Sequence, residues 1–249
     1  MKKRALVTSL VALSMLSATG AAFAEKGGNN GPEIANEANW DAAPAPANFD
    51  AEKKAKNDKE KNNAEGITTD ANPIVVLDPG HGGSDPGAVG NGLREADLTL
   101  DIANRTKSYM SANYGFTPYQ TRTSDTYVSL DARASYANSK GANFFTSMHI
   151  NSYSTSTPNG LEVYYYPGST TGLNLATAVY NKLKASYSTL RGIKTAEFYV
   201  LKYTNMPAIL GETGFITNPT DASKLGTTTF RQSLATQYAQ GMHVYWWGF

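Results

Sequence analysis

The chain contains no cysteine. That excludes a disulfide framework and a lipid-attachment thiol, and any metal would have to be held by histidine and carboxylate groups. Histidine is scarce as well, with three in 249 residues, so the position of each is informative. Long apolar runs are missing; the longest, near the amino terminus, falls short of the ~20 residues a membrane-spanning helix needs. A surplus of charge is missing too, the formal net charge being +1. No basic patch points to nucleic acid. Internal repeats are absent. The glycines between Gly80 and Gly92 are not followed by Gly-Lys-Ser/Thr, which argues against a phosphate-binding P-loop.

The first 24 residues have a basic head (Lys2, Lys3, Arg4), an apolar middle (Ala5 to Leu16) and small residues at Ala22-Phe-Ala24. This is the anatomy of a secretory signal peptide, expected to be cut after Ala24. Removing those three basic residues from 22 leaves 19 against 21 acidic ones, a mature charge of −2. Residues 25–72 are rich in Gly, Asn, Ala, Pro, Glu and Lys and poor in large apolar residues. Such a segment buries too little surface to offset its ordering entropy, so it is expected to be a disordered linker.

From residue 73 to 249 the texture is globular, with strand-like and helical runs in alternation. Strands are expected at Ile74 to Asp78, Phe116 to Arg122, Asn143 to His149, Leu161 to Tyr166 and Ala208 to Glu212, with Phe198 to Leu201 extended. Helices are expected from Leu93 to Asn113, Ser129 to Ser139, Thr171 to Ser186 and Thr229 to Tyr245. The alternation predicts a single α/β domain with a mostly parallel twisted sheet flanked by helices, and an active site at the carboxyl ends of the strands.

Three polar residues fall at such ends: His81 past the first strand, His149 closing the Asn143 strand, and Glu212 closing the Ala208 strand. Alternation sets Phe145, Ser147 and His149 on one face, and Ala208, Leu210 and Glu212 on one face of the other strand. Glu95 opens a helix whose apolar stripe includes Leu98 and Ile102, so helical spacing turns it inward while Asp97 and Asp101 look elsewhere. A carboxylate in a first turn is also favoured by the helix dipole alone. Two histidines and a glutamate form a known ligand set for catalytic zinc, which leaves a fourth position to water. Arg122, Asp125, Asp131 and Arg133 are expected to form an ion-pair cluster beside the site. Tyr164 to Tyr166 are expected to be strand residues, and His243, off the stripe of the last helix, a surface group.

These residues resemble the zinc-dependent N-acetylmuramoyl-L-alanine amidases of the third amidase type, bacterial cell-wall hydrolases. The marks are Leu-Asp-Pro-Gly-His81-Gly-Gly, Gly92-Leu-Arg-Glu95, Thr121-Arg122 with Asp125 and Arg133, Ser147-Met-His149-Ile-Asn151, and Glu212-Thr-Gly-Phe-Ile-Thr-Asn218. The resemblance runs from about Ile74 to Tyr245. It implies Zn2+ held by His81, Glu95 and His149, with Glu212 as the catalytic acid and base. It also implies a peptidoglycan substrate, cut at the amide between the lactyl group of N-acetylmuramic acid and L-alanine. Some relatives carry a helical plug over the site; the connection from Asn151 to Gly160 is too short for one. A secreted or cell-wall enzyme is expected, monomeric and without stable membrane association after signal removal. Two alternatives remain at this stage: a zinc peptidase cutting within the stem peptide, and a non-catalytic wall-binding module.

Overall fold

The computed structural model describes residues 72–248. The expected signal peptide, and all of the expected linker except Asn72, lie outside the described residues. No described helix is long and apolar enough to cross a membrane.

Six strands form one sheet in the order β4-β1-β5-β8-β6-β7. They are β1 (Ile74–Pro79), β4 (Thr117–Gln120), β5 (Phe144–Asn151), β6 (Leu161–Tyr165), β7 (Leu190–Thr195) and β8 (Ala208–Phe215). β4, β1, β5 and β8 run parallel; β6 is antiparallel to β8, and β7 is parallel to β6. The central strands β5 and β8 are buried along their whole length, as strands covered on both faces must be. A separate ribbon pairs β2 (Val89–Gly90) with β3 (Leu93–Arg94).

One face of the sheet carries Val75, Leu77, Phe144, Met148, Ile209, Leu161 and Val163. These pack against α1 (Glu95–Asn113), α3 (Thr170–Leu183) and α6 (Thr228–Trp247) through Leu98, Ile102, Met110, Val179, Leu234 and Tyr238. The spacing of Leu98, Ile102, Thr106 and Met110, all buried, makes α1 a helix with one inward stripe. Ser169 and Thr227 cap α3 and α6, each accepting a hydrogen bond from a first-turn N–H, and Gly248 in the left-handed region ends α6.

The other face carries Val76, Phe145, Ala208, Leu210, Tyr164 and Tyr166. α2 (Leu130–Ser139) and α4 (Tyr199–Tyr203) cover it, with Ala137, Val200 and Leu201 pointing in. Further along the same face, toward the carboxyl ends of the parallel strands, alternation sets Asp78, Ser147, His149, Glu212 and Glu162. The fold thus leaves a polar row where the apolar cover stops. α5 (Pro219–Leu225) follows β8, its first turn capped by Asn218.

Two expectations are corrected. Tyr199–Tyr203 is a short helix and not an extended segment, because Val200 and Leu201 both reach the core only when the chain coils over β8. The first helix begins at Glu95, since Leu93–Arg94 is taken up by the β2–β3 ribbon.

Candidate active site

β1 delivers His81, β5 delivers His149 and the first turn of α1 delivers Glu95; one ligand atom from each lies within 4.8 Å of the others. All three side chains are buried. Glu95 is the hub. Its Oε1 accepts from the Ile150 N–H and lies 2.9 Å from His149 Nδ1, while its Oε2 accepts from the Ala88 N–H at 2.9 Å. Asp85 Oδ2 lies 2.8 Å from His81 Nδ1. A carboxylate there fixes the tautomer and aims the other nitrogen inward. That nitrogen, His81 Nε2, is 3.2 Å from Glu95 Oε1, yet it is buried with no hydrogen bond of adequate geometry.

The loop that presents His81 is held by two arginines. Arg122 donates to the carbonyls of Pro79 at 3.0 Å, Gly80 at 2.7 Å and Ala96 at 2.8 Å. Arg133 donates to Asp78 at 2.8 Å, Pro79 O at 2.7 Å and His81 O at 2.8 Å. Asp78 also accepts from Thr121 and Ser147. The expected four-residue ion-pair cluster is therefore corrected. Asp125 accepts from Gly83 N–H and Arg94, and Asp131 from Tyr199. Both arginines serve the loop backbone, because a turn this tight leaves carbonyls that no strand partner can satisfy. Close approach is permitted by two glycines. A Cβ on Gly80 would fall 2.3 Å from the His149 ring, and one on Gly87 2.6 Å from that of His81.

Glu212 stands directly across from His149 in the β5–β8 register, and Glu162 directly across from Glu212 in the β8–β6 register. Glu212 is buried and its Oε2 has no hydrogen-bond partner among the described residues. Burial, with the charges of Glu95 and Glu162 beside it, pushes its carboxyl well above the usual range. Burial would push Glu95 up too, but the hydrogen bond from His149 and the two imidazoles beside it hold it well below that range. Burial lowers His149; for His81 the opposing pull of Glu95 and Asp85 wins, and its pKa is raised. Two glutamates in one site are therefore driven apart, one toward the anion and one toward the neutral acid. An anionic Glu95 suits a cation, and a Glu212 that holds a proton suits proton transfer.

His243 is not a free surface group. It is half-buried and stacks between Tyr114, at 4.2 Å, and Trp247, at 4.9 Å. Tyr114 closes α1 at the end opposite Glu95, about 28 Å away at ~1.5 Å per residue. Tyr164 is a buried strand residue that donates to Glu162 at 2.6 Å, whereas Tyr166, also buried, lies just past the end of β6 and not in it. Glu162 itself, together with Asp85, Arg191 and Lys194, was not singled out by sequence. An acid four residues after His81 within a glycine-rich loop was the available signal for Asp85. For Glu162 there was none beyond a lone acid in an apolar strand.

A family model described as N-acetylmuramoyl-L-alanine amidase matches residues 75–244. The sporulation-specific N-acetylmuramoyl-L-alanine amidase of Bacillus subtilis is 46% identical over 171 residues, covering 68% of this chain and 66% of that one. The N-acetylmuramoyl-L-alanine amidase LytC of the same organism is 43% identical over 183 residues, covering 70% of this chain and 36% of that one. This chain thus spans less than two thirds of either relative. Among solved structures, the catalytic domain of CwlV from Bacillus (Paenibacillus) polymyxa var. colistinus superposes with a TM-score of 0.67 at 32% identity, covering 70% of this chain and 97% of that one. An N-acetylmuramoyl-L-alanine amidase from Clostridium difficile 630 gives 0.67 at 35% identity, with coverage of 70% and 96%. With a six-stranded α/β sheet of the same shape and a family match across nearly all of it, this chain belongs to the N-acetylmuramoyl-L-alanine amidase family.

Proposed function

We propose that this chain is a secreted peptidoglycan hydrolase that cleaves the amide between the lactyl group of N-acetylmuramic acid and L-alanine, with zinc held by His81, Glu95 and His149. The observation that carries the reading is the convergence of two imidazoles and a carboxylate beside a second, unpartnered carboxylate on the neighbouring strand. The donor set fits zinc: two nitrogens and one oxygen, no thiolate, and the Asp85 carboxylate on the outer nitrogen of His81. The buried His81 Nε2 without a hydrogen bond is a cost that a bound cation would remove.

Zinc, when bound, would polarise the amide carbonyl and bring the pKa of a coordinated water toward ~7. The chain's own part falls to Glu212. Its carboxylate takes a proton from the attacking water as the new C–O bond forms, and returns a proton to the amide nitrogen as the C–N bond breaks. The products are a lactyl carboxyl group and a free peptide amine. A carboxyl with a raised pKa suits the second half, since it holds the proton until the nitrogen needs it.

Glu212→Gln tests the assignment. Gln keeps the shape but can move no proton. Zinc content should stay near one per chain and stability should hold, because a neutral amide has no charge to desolvate. Turnover on purified cell wall should fall by about 10²–10⁴-fold. Activity within a few-fold of the parent would remove Glu212 from the chemistry. Silence with the zinc gone would make it a ligand.

A further inference from the structure

From the neighbourhood of Glu162, and resting on the amidase reading above, we infer that Lys194 is a specificity-determining residue that receives a carboxylate of the peptide half of the substrate. Glu162 has a side chain only 2% exposed, yet two cations converge on its Oε1: Arg191 Nε, and Lys194 Nζ at 3.0 Å. Its other oxygen accepts from Tyr164 and Asn151. One buried anion thus anchors two cations.

The two cations differ. Arg191 is held by Glu162 and by the Phe215 ring 5.1 Å below its guanidinium. Among the described residues Lys194 has one hydrogen bond, to Glu162, and its side chain is 33% exposed. An ammonium has three donors, so donors remain for a ligand. Its strand position sets the distance. Lys194 is paired with Tyr164 on β6, and β6 lies beside β8, so the cation sits two strands from Glu212 on the same face of the sheet. Two strand spacings are about 10 Å, and the flexible stem of Lys194 can shorten that.

The chemistry of the substrate meets this geometry. A muramic acid whose lactyl carboxyl is tied up as an amide is uncharged. Where the peptide beyond the scissile nitrogen keeps a free carboxylate on its second residue, that group lies one Cα step of about 3.8 Å past L-alanine, on the order of 6 Å from the cut. A cation at β7 therefore has a partner only if the peptide runs along β6 and β7. The opposite flank would repel it. There Asp85, Asp97 and Asp125 gather, with Arg94 paired to the last two. The sugar, being neutral, is the half that flank can accept.

The test uses the zinc-loaded protein and two soluble muramoyl peptides, one with a free carboxylate on the second residue and one with that group as a carboxamide. The parent should favour the carboxylate by about tenfold in kcat/KM, the scale of one partly exposed charge-assisted contact. Lys194→Met should abolish the preference by raising KM for the carboxylate substrate, leave the carboxamide substrate within twofold, and be rescued by Lys194→Arg. Unchanged cleavage of the carboxamide substrate shows that the variant is folded and metal-loaded. Equal rates on both substrates in the parent, or equal losses on both in Lys194→Met, would overturn the inference alone. No cleavage of either substrate by the parent would overturn the amidase reading, and the inference with it.

Discussion

His81 holds a backbone conformation that histidine rarely adopts, with φ of +60°. The left-handed region costs a residue with a Cβ about 1–2 kcal/mol, so something must compensate. Here it is Arg133 on the His81 carbonyl, Arg122 on the two carbonyls before it, and Asp85 on the ring. The imidazole is thereby aimed before any metal arrives, and the same holds for Glu95, whose two oxygens are tied to backbone N–H groups. Preorganisation of this kind makes each member of the group necessary. His149→Ala should lose zinc, while His243→Ala, at an aromatic stack near the far end of α1, should keep it. Metal analysis of the two purified variants decides this. Full zinc occupancy in His149→Ala would contradict the ligand assignment.

At the scale of elements, the loop between β1 and α1 works only because it has no side chain at the points of closest approach. Gly87 and Gly92 both have positive φ, +65° and +75°. They differ in what a methyl would meet: His81 and Glu95 at Gly87, and nothing within 4 Å at Gly92. Alanine at either should cost about 1–2 kcal/mol through the backbone alone. Only Gly87→Ala should also weaken zinc binding, by about 10–100-fold, as a disturbed ligand orientation does. Thermal melts with zinc titrations on both variants measure the two effects separately. Equal zinc affinity in the two would mean the ligands are not set by this loop.

The sequence made some of these elements legible and hid others. β1, β5 and β8 stand out as short apolar runs, each ending on or just before a polar residue. Strands buried on both faces must read that way, and His81, His149 and Glu212 could be found by following them. α1 showed itself through its stripe. β7 did not, because Leu190-Arg-Gly-Ile-Lys-Thr is an edge strand with a glycine at φ +94° and an irregular register against β6. Glu162 was hidden for a related reason. Within Leu161-Glu-Val-Tyr-Tyr165 it reads as an outward residue of an ordinary strand. It meets Glu212 only because β6 inserts antiparallel beside β8, a pairing between strands some fifty residues apart that no local pattern encodes.

At the scale of the molecule, the sheet divides its labour along its length. On the side covered by α2 and α4, the amino-terminal part of the parallel strands is packed, and the carboxyl ends carry Asp78, Ser147, His149 and Glu212. The antiparallel entry of β6 extends that polar row by Glu162, and β7 adds the two cations. The row is consistent with a substrate that crosses the strands, its neutral sugar toward β1 and its charged peptide toward β7. Everything in that picture depends on which bond is cut. The deciding measurement is the mass of the soluble products when the zinc-loaded protein digests purified peptidoglycan. Intact stem peptides bearing a free L-alanine amine, together with glycan that has regained its lactyl carboxyl, are the predicted result. Peptide fragments cut within the stem, with L-alanine still joined to muramic acid, would contradict it.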